Sequence, residues 1–251
     1  MSMIRPGGKE LTKKAIENSH LEKGAKILDL GCGEGDTVAY LRNELGFDAV
    51  GGDKSEKIIA RGKEKYPEIE LTQMEGKLLD FDSKTFDAVI MECSLSLMDL
   101  QVDVIHEAYC VLKNGGKLII TDMFLKDPTE QEILEVVKSA EDAKNSPHEK
   151  GDCGDNIIPS MIMCKGGFIL EGLENVCTDL GLKRIFSSDE SESLATFAAQ
   201  VIMNYGSFED YHKAVVPEGE SMASYFSCFS LDEKCVDPKR IGYFLMIFEK
   251  K

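Results

Sequence analysis

Residues 25–41 read AKILDLGCGEGDTVAYL. An apolar run of strand length, KILDL, ends in three glycines at alternate positions (Gly31, Gly33 and Gly35), and a helical pattern begins at Asp36. Glycine tolerates positive φ and lets a ligand approach the main chain, so this is a strand that turns sharply into a helix with a ligand at the turn. The same alternation continues along the chain. DAVGG (48–52) precedes SEKIIARGKEKY, IELTQM (69–74) precedes a polar stretch, FDAVIME (86–92) precedes VDVIHEAYCVL, and GKLIITDMF (116–124) closes the series. Apolar runs bounded by Gly and Asp predict buried parallel strands, and the segments between them predict crossover helices. The fold class that follows is α/β, an open doubly wound sheet.

Beyond residue 125 the rhythm breaks. PTEQEILEVVKSAEDAK predicts an amphipathic helix and NSPHEKGDCGDNIIPS a loop, so residues 125–167 form a candidate lid insertion. FILEGLENVCTDLGLKRIFSS resumes helix then strand, with Gly181 as the helix C-cap. Residues 191–214 read as helical, and ESLATFAAQVIMNYG as the core of a cap. Residues 190–240 are a candidate cap before a last apolar strand, IGYFLMIFEK, and residues 1–251 are read as a single domain.

With 251 residues, 43% of them apolar, the chain is long enough to close a substantial core. The formal charge of −16 opposes binding to a phosphate backbone, so nucleic acid is not the expected partner and a small molecule is. There is neither a membrane-length apolar run nor the apolar centre of a secretory signal, which gives the expectation of a cytoplasmic protein that does not enter a membrane. Eight cysteines are scattered rather than set in a framework and no C-x-x-C occurs, so reduced thiols and no metal are expected.

The spacing at the turn is G-x-G-x-G, and Asp36 stands where a dinucleotide fingerprint has its third glycine. Asp29 and Glu34 add negative charge, which suits a cationic ligand better than a pyrophosphate. S-adenosylmethionine carries an ammonium and a sulfonium. A nucleoside here also needs an acceptor for its ribose hydroxyls at the end of the next strand, where Asp53 stands, and a partner for the adenine edge after the third strand, where Glu75 and the Gly76 N–H stand.

The stretches ILDLGCGEGDT, VGGDKS, MEGKLLDFDSKTFDAVIMECSLSL and EAYCVLKNGGKLIITDMF resemble the class I S-adenosylmethionine-dependent methyltransferases over almost the whole chain. The resemblance implies a Rossmann-like seven-stranded methyltransferase sheet with helices on both faces and a small helical cap or lid, the last strand lying antiparallel beside the fifth. It implies S-adenosylmethionine as cofactor, contacts from Asp29, Gly31, Asp53 and Glu75, and further contacts from Glu92 and Cys93 after the fourth strand. With the loop and adenine-edge positions, the candidate cofactor-binding set is Asp29, Gly31, Gly33, Gly35, Asp53, Glu75, Gly76, Glu92 and Cys93. Cys110 departs from relatives that carry arginine there.

The run from Met91 to Phe124 and the element MCKGGF (163–168) are also similar to arsenite methyltransferases. That likeness implies Cys93 and Cys164 as substrate-binding thiols, with Cys153 as a third. The family's more N-terminal cysteine has no counterpart here. As(III) is thiophilic and its lone pair needs no protein base, which agrees with a sequence in which His20, His106 and His212 read as helix residues and only His148 as a site candidate. IRPGG (4–8) reads as an ordinary N-terminal turn, with Arg5 folding towards the substrate opening as the rival reading. The functional expectation is methyl transfer to a small molecule, with a cofactor-binding sensor or assembly module that does not turn over as the alternative.

Overall fold

The computed structural model describes residues 5–134, 136, 162–164, 167–215 and 237–251. Five strands and four helices open the chain: α1 (Gly8–Ser19), β1 (Lys26–Leu30), α2 (Asp36–Asn43), β2 (Asp48–Asp53), α3 (Glu56–Lys65), β3 (Glu70–Gln73), β4 (Phe86–Glu92), α4 (Gln101–Val111) and β5 (Leu112–Leu125). A two-residue pair follows, β6 (Met163–Cys164) and β7 (Gly167–Phe168), then α5 (Leu170–Asp179), β8 (Leu182–Asp189), α6 (Ser191–Tyr205), α7 (Phe208–Val215) and β9 (Ile241–Lys250).

β3, β2, β1, β4 and β5 pair in parallel in that order. β9 lies antiparallel between β5 and β8. These seven strands form the sheet expected from the sequence, and the β6–β7 hairpin joins its β5 edge at Phe124, past the end of β4. β9 can lie inside the sheet because its run Gly242–Phe248 is buried on both sides.

Alternation along the strands divides the core into two layers. Leu28, Leu30, Val89, Met91, Leu118, Ile120, Phe244 and Met246 point to one face, where Ile105 and Ala108 of α4 and Leu173 and Val176 of α5 cover them. Ile27, Ala49, Ala88, Ile90, Ile119, Leu245 and Ile247 point to the other, covered by Leu11 and Ala15 of α1, Val38 and Leu41 of α2, and Leu194 of α6. Helices thus flank both faces.

β5 starts earlier than the apolar pattern GKLIITDMF, since Leu112 already pairs with Phe86 across an irregular step in the ladder. The helical stretch expected over 191–214 is two helices. Gly206, at φ 83°, ends α6 and turns the chain so that α7 packs back on it through Phe197, Val201 and Tyr211. Gly181, at φ 93°, follows α5 as expected. Residues 130–134 are helical, while residues 137–161 of the candidate lid, with His148 and Cys153, and residues 216–236 of the candidate cap lie outside the described residues. Cys32, Cys93 and Cys177 are reduced, but Cys110 is disulfide-bonded, a pairing that spacing along the chain does not signal. Among the described residues no helix is long and apolar enough to cross a membrane.

Candidate active site

β1, β2 and β4 end at the same edge of the sheet, and a crevice of about 390 Å³ opens there. Its floor is the glycine loop. Gly31 has φ 80° and donates from its N–H to Gly52 O at 2.7 Å; a Cβ on it would stand 2.4 Å from Ser94 Cβ. Gly33, at φ 56°, donates to Asp53 Oδ2 at 3.0 Å, and a Cβ there would meet no atom within 4 Å. The first glycine therefore lets β1 pass β4, whereas the second leaves open space above the backbone.

Asp53 closes β2 with one oxygen accepting from the loop and the other from Ser55 N at 2.9 Å, and it lines the crevice. Ser55 in turn caps α3 by accepting from Ile58 N. Beyond β3, Glu75 and Gly76 form the far wall; Glu75 is largely exposed beside Lys77, at 3.4 Å. A Cβ on Gly76 would come 3.0 Å from Met98 Sδ, so this wall and Met98, together with Ile58, Met74, Leu97 and Val104, leave a narrow apolar slot.

The other end is polar and buried. Glu92, at the end of β4, accepts from Thr12 Oγ1 at 3.1 Å and Thr37 Oγ1 at 3.0 Å and is ion-paired with Arg5 Nη2 at 2.7 Å. Asp29 is buried behind Gly31, and burial, followed by the charge of Glu92, holds its carboxyl well above the usual range, with Arg5 opposing. Cys93 takes φ 55°, donates its N–H to Thr121 O at 2.7 Å and presents a half-buried thiol to the crevice. A non-glycine residue seldom takes this left-handed conformation, which His20, Lys84, Leu100 and Asp127 share with Cys93. Tyr211 and Val215 of α7 close this end.

Asp29, Gly31, Gly33, Asp53, Glu75, Gly76, Glu92 and Cys93 are thus brought to one crevice. Gly35 is not part of its lining: at φ 85° it caps α2, and a Cβ on it would meet Ile69 and Leu71, so it serves the turn. Cys164 stands in β6, its side chain outside those described. The charge expected from Glu34 is already balanced, because Glu34 pairs with Arg61 and Lys65, while Asp36 pairs with Lys65 and Tyr66. His106 is buried on α4 against Cys110. Arg5 is not an ordinary turn residue: its side chain is 9% exposed and lines the crevice. Thr12, Thr37 and Tyr211 carry no mark in the sequence: Thr37 and Tyr211 reach the crevice through packing of α2 and α7, and Thr12 on α1 meets only Glu92 behind it.

Residues 27–116 match the family model described as a methyltransferase domain. An uncharacterized protein of Haemophilus influenzae is 28% identical over 192 residues, 73% of this chain and 72% of that one. A phosphatidylethanolamine N-methyltransferase of Cereibacter sphaeroides is 30% identical over 111 residues, 42% of this chain and 54% of that one. The chain spans about half the length, or less, of the curated methyltransferases it matches. Among solved structures, Haemonchus contortus phosphoethanolamine N-methyltransferase 2 in complex with phosphomonomethylethanolamine and S-adenosylhomocysteine superposes with a TM-score of 0.66 at 16% identity, covering 99% of this chain and 54% of that one. At that identity the superposition speaks for the fold.

Residues 27–116 thus match a methyltransferase domain, and the sheet order and the acidic glycine turn tied to an aspartate on the second strand agree with that match. The residues present fit S-adenosylmethionine: open space over Gly33, the Asp53 carboxylate beside it, an apolar slot beside Gly76, and carboxylates at the end where the positive charge would lie.

Proposed function

We propose that the chain transfers a methyl group from S-adenosylmethionine to a small-molecule acceptor that enters beside Cys93, beneath α7. The observation that carries this reading is the shape of the crevice, with Asp53 on the glycine loop at one side and Cys93, Tyr211 and Val215 at the other. Asp53 would hold the ribose, Glu75 and Gly76 the adenine edge, and Asp29 and Glu92 the charged amino-acid end. When bound, the cofactor supplies a methyl group made electrophilic by its sulfonium.

The chain's own contribution is position and dielectric. Arg5, Thr12 and Thr37 fix the Glu92 carboxylate, so it opposes the cationic end without reorganising. Tyr211 and Val215 keep water from the acceptor end, and in-line geometry then accounts for much of the rate. The names of its relatives, which include methyltransferases of phosphatidylethanolamine and of demethylmenaquinone, support a small-molecule acceptor. Arsenite is a narrower reading, supported in this structure by the place of the Cys93 thiol.

Calorimetric titration with S-adenosylmethionine and S-adenosylhomocysteine tests the cofactor assignment, with micromolar binding expected. Binding of a nicotinamide dinucleotide in their place would overturn it. Formation of S-adenosylhomocysteine only in the presence of an acceptor separates an enzyme from a sensor without turnover.

A further inference from the structure

One wall of the apolar slot is held by a residue that does not touch the crevice. After β4 the chain makes a short 3-10 turn, Leu95–Leu97, and the residues in and around it, Cys93, Ser94, Leu97 and Met98, line the crevice. Met98 spans the slot: a Cβ on Gly31 would stand 3.0 Å from Met98 Cε, and one on Gly76 would stand 3.0 Å from Met98 Sδ. The width of the slot therefore depends on where this turn lies.

Within the turn Leu97 N–H donates to Ser94 O and Met98 N–H to Leu95 O, each at 3.1 Å. Neighbouring strands anchor it as well. Cys93 N–H donates to Thr121 O at 2.7 Å and Ser94 Oγ to Leu30 O at 2.9 Å, which fixes the approach to the turn. Ser96, in its middle, donates its N–H to Asp122 Oδ2 at 2.9 Å. Asp122 is fully buried near the end of β5, lies outside the crevice lining, and accepts from Met123 N–H at its other oxygen, at 2.8 Å. Backbone donors thus engage both oxygens, an arrangement that suits a carboxylate and not an amide, whose nitrogen would face one of the two N–H groups. Burial raises this carboxyl to about 6 even though the Ser96, Met123 and Leu95 N–H groups oppose it. The fold gains little from an anion placed there, so its use lies in what the turn carries.

Resting on the methyltransferase reading above, we propose that Asp122 is a positioning residue for S-adenosylmethionine: by holding Ser96 it fixes the turn, and through Leu97 and Met98 it sets the width of the slot that takes the adenosyl group. Its effect falls on the nucleoside and not on the amino-acid end, because Glu92 has its own supports in Arg5, Thr12 and Thr37. Without the carboxylate the middle of the turn loses its anchor to β5, and Met98 is no longer held between Gly31 and Gly76.

Calorimetry on the full chain at neutral pH tests this with two ligands, S-adenosylhomocysteine and 5′-methylthioadenosine, which has the nucleoside but no amino-acid end. Asp122→Ala should weaken both by the same factor, about tenfold, the worth of a hydrogen bond to a charged group. Met98→Ala should weaken both as well, and in the double variant the two losses should fall short of their product, since Asp122 acts through Met98. Circular dichroism on the same samples shows that they are folded. If Asp122→Ala is not, Asp122→Asn, which keeps the shape and forfeits one acceptor, carries the same comparison. A folded variant with both affinities within about twofold of the parent would mark a residue that serves stability alone and would overturn the assignment. A loss confined to S-adenosylhomocysteine, losses that multiply in the double variant, or a parent that binds S-adenosylhomocysteine and not 5′-methylthioadenosine would overturn it too. A parent that binds neither ligand would instead bring down the methyltransferase reading beneath it.

Discussion

The first two glycines of the turn should respond to alanine in different ways. At Gly31 the new Cβ would stand 2.4 Å from Ser94 Cβ and 2.8 Å from Ser94 Oγ, far inside contact distance. Ser94 cannot easily yield, because it is buried and its hydroxyl donates to Leu30 O at 2.9 Å, tying the ends of β4 and β1 together. Alanine in the left-handed region costs about 1–2 kcal/mol, displacement of a packed neighbour about 1–3, and the Ser94 hydrogen bond about 1. Gly31→Ala should therefore lose about 3–6 kcal/mol, a large share of the stability of a typical domain.

At Gly33 the conformational cost is similar, but nothing lies within 4 Å, so about 1–2 kcal/mol is expected. The methyl group would project into the crevice where the cofactor is expected to lie. Urea unfolding followed by circular dichroism gives the stabilities, and calorimetry with S-adenosylhomocysteine gives the affinities. Gly33→Ala should fold and bind at least tenfold more weakly. A Gly31→Ala protein within 1 kcal/mol of the parent, or a Gly33→Ala protein that binds like the parent, would refute the division of labour.

Arg5→Met leaves Glu92 buried with two hydroxyl partners and no counter-charge, so unfolding should become easier by about 3 kcal/mol, and Arg5→Met with Glu92→Gln should regain most of that in a double-mutant cycle; strict additivity would argue against the pair. Asp122 is fully buried on β5 and its carboxyl is pushed up to about 6, by burial first, although Ser96 N–H donates to it. A carboxyl raised on folding contributes stability that is complete below its unfolded value near 4 and lost as pH rises through about 6. The parent should thus lose about 3 kcal/mol over that window relative to Asp122→Asn, and a constant difference from pH 4 to 7 would contradict this. Asp29 is raised likewise, so a cation arriving beside it favours proton release; S-adenosylmethionine should bind more tightly as pH rises and Asp29→Asn should flatten that dependence, measured by calorimetry. Iodoacetamide should label Cys93, read by peptide mass spectrometry, and S-adenosylhomocysteine should slow that labelling at least tenfold, while buried Cys32 and Cys177, with thiols pushed upward, stay unmodified.

Elements buried on both faces were readable because burial writes continuous apolar runs, and KILDL, FDAVIME and IGYFLMIF announce β1, β4 and β9 without ambiguity. Asp53 was readable from topology, since an acid closing the second strand of such a sheet must face the first turn. Arg5 was not. A single arginine ahead of a helix has no period to betray it, and it gains meaning only when α1 packs across the end of β4 and delivers it to Glu92. Tyr211 was hidden for a related reason: the pattern over 191–214 shows an apolar helix, but the turn at Gly206 decides which side chain points at the crevice. Glu34 misled because its partners, Arg61 and Lys65, lie on α3, one crossover away.

That last pairing changes why this turn selects a cation. The surplus of acids over the whole chain acts through water and is screened within about 8 Å, so it cannot choose a ligand in a crevice. Glu34 and Asp36 are spent on α3, and Asp53 is held by two backbone N–H groups. What remains at the buried end is Asp29 and Glu92 against Arg5, two carboxyls and one guanidinium. In a medium of low effective dielectric an unbalanced carboxyl stays protonated until a positive charge arrives. A sulfonium nucleoside with an ammonium brings that charge, whereas a pyrophosphate would add to the excess. The proposed preference for a cationic cofactor over a dinucleotide therefore rests on which acids the fold leaves without a basic partner, and not on the acids counted in the glycine loop.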